Sequence, residues 1–495
     1  MTVDYLLGTA ILLPIFAGLF LLFFQGRLKN RGIKCIMLFL VMAAADGLVV
    51  RLMFMEDCQF VLWKLTGTLD LLARVDNLTR LFAGMTVAAW TLGGIFAFEY
   101  MKHEENEDRY FGFYLIVMGV LIALDHAGNL ITLYLFFEMM TLTSLPMVLH
   151  NLSHDAVMAG LKYLFYSIAG AFAALFGIFY LYAHGVGFLF QEGGVLPRLG
   201  ASYHGSYEMT LFALMLMIAG FGTKAGMFPM HGWLPTAHPV APAPASAVLS
   251  GIITKAGVLA IIRVVYYTVG ADYIRGTWVQ YTWMTLALIT VFMGSMMAYK
   301  EQVLKKRLAY STVSQVSYIL FGLSVLNLEG LMGALSHFVF HSVVKNCLFL
   351  AAGAIIYRTG KTTVKELKGV GKEMPVTMWC FTLVSITLVG IPPTSGFVSK
   401  WYLATGSLQS GMGAYTWAGP VILLLSAMLT AGYLLPVSIQ AFFPGAEYNY
   451  KELRKIEPNL LMTVPMLLFT AAAVLFGMFP GPFMNFLQSI AAGVL

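Results

Sequence analysis

The chain has 495 residues, of which 59% are hydrophobic and only 11% are charged, with a formal net charge of +6. A soluble protein of this length carries far more surface charge, so the composition excludes a soluble globular enzyme and indicates a polytopic membrane protein. The four cysteines, Cys35, Cys58, Cys347 and Cys380, form no Cys-x-x-Cys pair. This spacing argues against an iron–sulfur cluster, a zinc–thiolate site and a disulfide framework.

The sequence contains about fourteen apolar stretches of roughly 20 residues, the length that an α-helix needs to cross a bilayer. The predicted spans are 4–24, 33–54, 77–99, 110–124, 128–149, 158–184, 208–230, 241–268, 279–298, 306–326, 330–357, 374–403, 417–442 and 459–487. The first span has no basic segment or cleavage site ahead of it, so it is predicted to be retained. The segment 57–76 leaves room for a re-entrant turn. We therefore predict an all-α membrane protein.

Basic residues cluster in four of the predicted loops. These residues are Arg27, Lys29, Arg31 and Lys34; Lys300, Lys305, Lys306 and Arg307; Arg358, Lys361, Lys365, Lys368 and Lys372; and Lys451, Arg454 and Lys455. If there are fourteen helices, all four loops fall on one side of the membrane. The positive-inside rule makes that side cytoplasmic. Both termini are then predicted on the outer side of the cell inner membrane.

The predicted seventh helix carries a lysine at hydrocarbon depth and is interrupted by prolines. Lys224 stands in the segment 221–240, and Pro229 follows it by five residues. Proline removes a backbone donor and kinks or breaks a helix. Irregular backbone at this depth is tolerated only where it is buried in protein or lines a wet cavity. Lys224 is thus a candidate functional residue, and the alternative is a lysine that snorkels to the interface.

A second interrupted helix lies at 390–401, where Pro392 and Pro393 precede Lys400. Two broken spans, each with a lysine and separated by four intact helices, predict two repeats of about five helices. An odd number of helices inverts the second copy in the membrane, as in many secondary transporters. The predicted units are 1–109 for the N-terminal helices, 110–268 and 279–442 for the two inverted repeats, and 459–495 for the C-terminal helix.

Glu138 is the one carboxylate of the predicted fifth helix and has apolar neighbours on both sides. A buried carboxylate must be protonated or paired with a cation, and we predict that Lys224 is its partner. Two charges about 4 Å apart gain roughly 4 kcal/mol at an effective dielectric constant near 20. Association would then keep Lys224 protonated and separation would release the proton. The alternative is a static ion pair that fixes the helix register.

Further ionisable residues lie in the predicted eighth and eleventh helices. Lys255 has Gly251 and Gly257 beside it, and His337, His341 and Lys345 share one helical stripe. Histidine titrates near neutrality, so this stripe could pass protons through water. Two histidines one turn apart can also bind zinc, but no third ligand accompanies them. Histidines that only pack in the core are a further alternative. We predict a lateral polar axis through the middle of the membrane and no metal site.

Three more ionisable residues are candidates, and the two histidines among them are predicted near the cytoplasmic side. His231 and His238 follow the break of the seventh helix and are candidates for proton entry, although capping of the loop is an equal alternative. Lys162 lies near the start of the sixth helix, where a lysine can snorkel or modulate Glu138.

With these residues the chain resembles the antiporter-type subunits shared by proton-pumping NADH:quinone oxidoreductase (complex I), membrane-bound energy-converting hydrogenases and Mrp-type Na⁺/H⁺ antiporters. The resemblance covers nearly the whole chain. Its most specific parts are the segment around Glu138, 224–244, 337–345 and 390–400. It implies fourteen helices, inverted five-helix repeats, and breaks in the seventh and twelfth helices.

The resemblance also implies a role for each charged residue. Glu138 with Lys224 would be a modulating ion pair, Lys255 the central relay, His337, His341 and Lys345 the next relay, and Lys400 the terminal proton donor or acceptor. One type of member carries glutamate at the terminal position, and Lys400 argues against that type. The chain ends at Leu495 soon after its last helix, which resembles the medium-length members that lack a long lateral helix.

We therefore predict a proton-translocating subunit of a redox-driven complex, in which the chain itself carries no catalytic residue and no cofactor. Iron–sulfur or other redox groups are expected in partner subunits, because the sequence has no Rossmann glycine signature and no cysteine ligand set. The main alternative is a subunit of a non-redox Mrp-type antiporter, which would move Na⁺ as well as protons. A scaffold that conducts nothing is a third hypothesis. A small-solute carrier is the least favoured, because its charges would converge on one pocket.

Overall fold

The computed structural model describes residues 3–27, 30–66, 69–445, 448 and 453–495. Two of the basic residues used above to predict orientation, Lys29 and Lys451, lie outside the described residues.

Most of the described chain is helical. The α-helices are α1 Val3–Phe23, α2 Arg31–Met53, α3 Asn77–Tyr100, α4 Glu107–Asp125, α5 Leu130–Val148, α6 His154–Ala183, α7 Leu196–Leu199, α8 Tyr207–Ala225, α9 Leu234–Val240, α10 Ala243–Val248, α11 Thr254–Ile262, α12 Ala271–Ile274, α13 Trp278–Lys300, α14 Leu304–Ser324, α15 Leu328–Thr359, α16 Val370–Glu373, α17 Pro375–Val389, α18 Ser395–Leu408, α19 Ala414–Phe442, α20 Leu460–Met478 and α21 Gly481–Val494. Two π-helical turns, Leu249–Ile253 and Arg263–Val269, flank α11. Short 3₁₀ turns occur at Met101–His103, Gly200–Ser202 and Val364–Leu367.

Within the described residues, eleven helical stretches are long and apolar enough to cross a membrane. The chain is therefore a multi-pass membrane protein. The predicted spans 110–124, 306–326 and 374–403 are not among the eleven, although α4, α14, α17 and α18 fill them. The total of fourteen spans stays a prediction.

Side-chain caps fix the start of several long helices. The side-chain oxygens of Asp76, Asn129 and Asn327 accept hydrogen bonds from backbone amides in the first turns of α3, α5 and α15. The first amides of a helix have no partner inside the helix, and short polar side chains supply one. These caps explain why α3, α5 and α15 begin where they do.

Two stretches form the centre of the bundle. The stretch Ala243–Val269 is wholly buried, and 94% of the apolar window of α15 is buried. The outer helices α1, α2, α6, α19 and α20 are less than half buried, and they expose large apolar side chains of the kind that faces lipid. Lys255 and the stripe on α15 are thus carried by the two most enclosed stretches.

The segment predicted to leave room for a re-entrant turn forms a β-hairpin instead. Strands β1 Cys58–Lys64 and β2 Asp70–Val75 pair antiparallel, with Cys58 opposite Val75. Side chains of β2 alternate between buried and half-buried positions, and such alternation is the pattern of a strand with one buried face. The all-α prediction was wrong for these residues.

The last predicted helix, 459–487, is two helices. The first, α20, ends at Met478, and α21 begins at Gly481. Pro480 lies between them, and proline cannot continue the backbone hydrogen bonding of a helix.

Candidate functional site

The predicted seventh and twelfth helices are both broken, and each break begins at a glycine in the left-handed conformation. Gly226 follows α8 with φ 76°, and Gly390 follows α17 with φ 89°. A side chain is strained at such angles, so glycine is the usual residue that ends a helix this way. The chain then runs irregularly to α9 after the first break and to α18 after the second. The predicted breaks are confirmed.

Lys224 lies in the last turn of α8 and is held by three hydroxyl groups. Its ammonium donates hydrogen bonds to Thr141 Oγ1 at 2.8 Å, Tyr163 OH at 2.9 Å and Ser167 Oγ at 2.9 Å. It also lies 4.3 Å from the centre of the Tyr163 ring. The residue is 1% exposed. Neutral oxygens and an aromatic face therefore replace the water around this cation, and we call Thr141, Tyr163 and Ser167 the hydroxyl cage.

The predicted ion pair between Glu138 and Lys224 is not formed. No oxygen of Glu138 lies within 4.0 Å of the Lys224 ammonium. Glu138 is half-buried, and its Oε1 has no hydrogen-bond partner within the described chain. The reason is geometric: Thr141 follows Glu138 by about one turn of α5 and presents its hydroxyl to the lysine. The prediction of a direct contact was wrong.

Lys255 is the second residue of α11, which follows directly on the first π-helical turn. It is 1% exposed, and its ammonium donates to the backbone carbonyl of Ser250 inside that turn. A π turn changes the regular hydrogen-bonding ladder and frees carbonyl groups, and such turns are frequent at functional sites. Asn346 of α15 lies against Gly251, where a β-carbon would meet its amide. Glycine at 251 thus permits close packing of the first π turn against α15.

His337 is fully hydrogen-bonded. Its Nδ1 lies 2.9 Å from Ser399 Oγ, and its Nε2 lies 3.1 Å from Gln315 Oε1. The ring also stacks on Tyr318 with a centroid distance of 5.2 Å. These contacts link α15 to α14 and α18. Both ring nitrogens therefore have partners, a hydroxyl that can donate or accept and an amide oxygen that accepts.

His341 and Lys345 continue the same stripe of α15. The ring of His341 stacks on His337 at 5.9 Å, and neither of its nitrogens has a partner within the described chain. A small cavity of about 10 Å³ adjoins both histidines, which is close to the least volume that holds one water molecule. Lys345 donates to Leu308 O at 3.0 Å and to the Ser311 hydroxyl. The predicted common stripe is present.

Lys400 lies beyond the second break and reaches back across it. Its ammonium donates to the carbonyl groups of Leu388 and Val389, each at 2.7 Å. These carbonyls end α17, and the C-terminus of a helix attracts cations. The ammonium also lies 5.3 Å from the centre of the Tyr318 ring. Tyr318 therefore contacts both Lys400 and His337, which joins the last two members of the predicted axis.

Close helix packing joins the first two members. A β-carbon at Gly257 would lie 2.4 Å from Phe221 O and 3.3 Å from the β-carbon of Lys224. Glycine at this position therefore permits α11 to touch α8 beside the lysine. Lys224, Lys255, the α15 stripe and Lys400 thus lie on neighbouring, directly packed elements, as the axis requires.

A polar cavity that the sequence did not reveal lies beside the loops that carry the basic residues. It has a volume of about 240 Å³ and is lined by Glu104, His150, Asn151 and Lys305, among others. His150 is 3% exposed, and both of its ring nitrogens lack partners within the described chain. Lys305 donates to Pro239 O at 3.0 Å and to Ala241 O. It was predicted only as a basic loop residue, because its neighbours in space are distant in sequence.

The two histidines predicted for proton entry differ in their surroundings. His238 is fully buried against Phe349 at 4.8 Å, and neither ring nitrogen has a partner within the described chain. It precedes Pro239, whose carbonyl binds Lys305, so it lies next to the polar cavity. His231 is half-buried beside Phe228 and lies on the irregular segment after the first break. Lys162 faces the same segment at Gly232.

Another ionic cluster lies outside the predicted axis. Arg263 of the second π turn binds Asp76 through Nη1 at 2.7 Å and Nη2 at 3.0 Å, and both residues are at most 2% exposed. Arg74 of the hairpin also contacts Asp76. Asp76 caps α3 as well. The cluster therefore ties three elements together.

Within the described residues, no three histidine, cysteine, aspartate or glutamate side chains lie together as a group that could hold a metal ion. The four cysteines are free thiols.

Comparisons with known proteins agree on one family. Residues 127–430 match the family described as NADH:quinone oxidoreductase/Mrp antiporter, transmembrane. The chain belongs to this family.

Three relatives illustrate its range. NADH-quinone oxidoreductase subunit N of Desulforudis audaxviator is 33% identical over 76% of the chain and 75% of that protein. Hydrogenase-4 component B of Escherichia coli is 31% identical over 82% of the chain but only 62% of that protein. An Na⁺/H⁺ antiporter subunit of Bacillus subtilis is 28% identical over 94% of the chain and 92% of that protein. All three are named as components or subunits of larger assemblies.

The fold also matches that of one chain in a solved complex. One chain in the structure of the archaeal membrane-bound sulfane sulfur reductase matches with a TM-score of 0.85 over 99% of this chain and 97% of that one, at 21% identity. This likeness shows that the two chains share one fold.

Proposed function

We propose that the chain is the proton-translocating membrane subunit of a redox-driven complex. The observation that carries the proposal is the row of enclosed ionisable groups on directly packed elements, from Lys224 through Lys255 and the α15 stripe to Lys400. Charged groups inside a membrane protein mark ion pathways. Such a row can pass protons between groups, whereas a single solute pocket would gather its polar groups at one place.

The energy for this movement comes from partner subunits. Moving one charge against 100 mV costs about 2.3 kcal/mol, and redox groups in the partners would supply it. The two relatives with the higher identities are named as parts of an oxidoreductase and of a hydrogenase. We therefore prefer a redox-driven complex. An Mrp-type antiporter is the second candidate, because one relative at 28% identity is named as an Na⁺/H⁺ antiporter subunit.

The residues divide into a switch and a relay. We assign the switch to Lys224, since three hydroxyls stabilise its ammonium without a fixed negative charge. Glu138 is half-buried, and its Oε1 has no hydrogen-bond partner within the described chain. It would stabilise the protonated Lys224 when the glutamate side chain swings toward the lysine. Lys255, His337, His341 and Lys345 form the relay, and Lys400 exchanges the proton at the second break.

We assign proton entry to the polar cavity with Glu104 and His150 at its wall. Lys305 lines this cavity and donates to the carbonyl of Pro239, the residue after His238, so we assign it the inward transfer of the proton. His238 has two free nitrogens and can accept it through water. His231 lies on the irregular segment that Lys162 faces at Gly232 and is kept as a second candidate for proton entry. The chain would lie in the cell inner membrane, with this cavity facing the cytoplasm, both termini outside, and units 110–268 and 279–442 as inverted repeats.

The parent complex is identified by what purifies with this chain. Mass spectrometry of the complex, isolated in mild detergent through a tag on this chain, should detect iron–sulfur subunits related to hydrogenases or NADH dehydrogenases. The matched control is the same purification from cells with an untagged chain. If only other small membrane subunits are recovered, the redox-driven function is wrong and the Mrp-type antiporter takes its place.

The entry route predicts inhibition from one side of the membrane only. In a chain without native cysteines, Asn151→Cys places a thiol at the exposed edge of the polar cavity. A charged, membrane-impermeant maleimide should stop proton movement in inside-out vesicles and leave right-side-out vesicles unaffected. Lys365→Cys, exposed on the adjacent loop, should react equally without inhibition. Inhibition only from the opposite side would refute both the route and the orientation.

A further inference from the structure

A large open groove lies on the outer wall of the bundle. It has a volume of about 680 Å³ and lies between α6, α9 and the start of α14. Its wall on α6 is apolar: Met158 is 54% exposed, Leu161 55% and Phe165 71%. Pro235, Pro239 and Val240 form the opposite wall. The groove thus presents an apolar surface, on the outer wall of the bundle, that a hydrocarbon chain could cover.

Two lysines stand in this groove, and one of them lacks a protein partner. Lys162 is half-buried and forms no hydrogen bond or ion pair with any described residue. It lies eight residues after the start of α6, which is about 12 Å along the helix axis. Lys306 binds Glu301 at 2.9 Å and remains 38% exposed. The one carboxylate in the lining, Asp155, is 90% exposed and contacts His154. The described residues therefore supply no anion to Lys162, which leaves its ammonium available to one from outside the chain.

We propose that this groove binds one anionic phospholipid. Its phosphate lies between Lys162 and Lys306, and one acyl chain follows Met158, Leu161 and Phe165. Basic pockets between transmembrane helices on the side of the basic loops suit anionic head groups. Lysine stems cover apolar surface while their ammonium groups reach the head-group level. Lys306 belongs to one of the basic loops, so the groove opens at that level.

The combination of charges and apolar wall selects a phospholipid. A soluble anion would satisfy the lysines but leave the exposed α6 side chains uncovered. An apolar helix of another subunit would cover those side chains but would supply no anion to Lys162. A phospholipid supplies the phosphate and the hydrocarbon at the spacing that the groove presents.

The lipid would also touch the first helix break. The Lys162 ammonium lies 3.6 Å from the position of a β-carbon at Gly232, and Tyr166 OH lies 3.2 Å from it. Bound lipid would therefore bridge α6 and the irregular segment that leads to α9. This inference does not depend on proton translocation, because it concerns a binding site on the outer wall.

The test is binding of a defined lipid to the purified complex. The complex is stripped of lipid in detergent and then titrated with phosphatidylglycerol or phosphatidylcholine in mixed micelles, with native mass spectrometry as readout. Since each lysine near an anionic head group contributes about 1 kcal/mol, Lys162→Gln with Lys306→Gln should weaken phosphatidylglycerol binding about 30-fold. The arginine pair, Lys162→Arg with Lys306→Arg, should bind as the parent chain does.

The controls separate this site from general attraction. Lys365→Gln with Lys368→Gln removes two exposed lysines from another basic loop and should not change binding. Inorganic phosphate should not compete at millimolar concentration, because it cannot fill the apolar wall. Equal binding of both lipids, or unchanged phosphatidylglycerol binding by the glutamine pair, would overturn the proposal. A partner subunit seated in the groove of the intact complex would do the same.

Discussion

Replacing Lys224 with methionine is expected to stop proton movement while the complex still assembles. Methionine has a similar shape to lysine but cannot carry a proton, so the first transfer of the axis is lost. A positioned acid or base typically accelerates proton transfer by about 10²–10⁴-fold. We therefore expect the rate of proton movement to fall by about 10²-fold or more. The measurement is proton uptake per electron transferred, followed in sealed vesicles.

Variants of the hydroxyl cage separate transfer from folding. Tyr163→Phe removes one of the three hydroxyls that bind the ammonium and also a partner of Ser144 at 2.8 Å. It should lower pumping less than Lys224→Met, because two cage hydroxyls remain. Lys300→Met, at an exposed position outside the axis, should pump normally. Full pumping by Lys224→Met would instead support a scaffold that conducts nothing.

The two helix breaks could be predicted from sequence because their causes are local. A glycine follows the last helical turn in each case, and prolines follow the glycine, as at Gly226 and Pro229. Both residue types act on their own backbone, so their effect needs no knowledge of the rest of the fold. The depth of Lys224 and Lys400 followed from the length of the apolar runs alone.

The partners of these lysines could not be predicted in this way. Glu138 was the partner predicted for Lys224, but the lysine binds Thr141 of α5 and Tyr163 of α6. Which face of α5 turns toward α8 is decided by tertiary packing. The polar residue one turn after Glu138 was the available signal, since a threonine on the same stripe can compete for the same cation.

Other features were not predicted because the same residue composition suits two kinds of secondary structure. The hairpin residues are apolar and aromatic enough to be taken for a membrane segment, and only their alternation distinguishes a strand. The π turns around α11 leave no mark in the sequence, because they differ from an α-helix by one shifted hydrogen bond. They nevertheless decide where Lys255 finds its carbonyl partner.

The two breaks place their lysines differently, and this difference bears on the direction of proton transfer. Lys224 precedes its break and faces neutral hydroxyls, whereas Lys400 follows its break and binds the carbonyl end of α17. Helix C-termini stabilise positive charge, and Lys400 binds the terminal carbonyl groups of α17 directly, whereas the hydrogen bonds of Lys224 go to side-chain hydroxyls. In the proposed mechanism, a change around Lys224 starts the transfer and Lys400 stores the proton until release.

Replacing Arg263 with methionine is expected to cause the largest loss of stability among single substitutions of charged residues. The guanidinium binds both oxygens of Asp76 and also contacts Thr79 Oγ1 at 3.1 Å. Its removal leaves a buried carboxylate with only Arg74 as a cationic partner. Breaking one side of a buried ion pair costs about 3–5 kcal/mol. Thermal and denaturant unfolding of the complex in detergent would measure the change.

Two further variants decide whether the cost comes from the unpaired carboxylate. Asp76→Leu combined with Arg263→Met should recover most of the loss, except for about 1 kcal/mol from the missing cap of α3. Arg275→Met removes an exposed arginine that pairs with Asp272, whose side chain is 76% exposed, and should cost at most about 1 kcal/mol. If Arg263→Met is no more destabilising than Arg275→Met, the buried cluster does not hold the hairpin, α3 and the second π turn together.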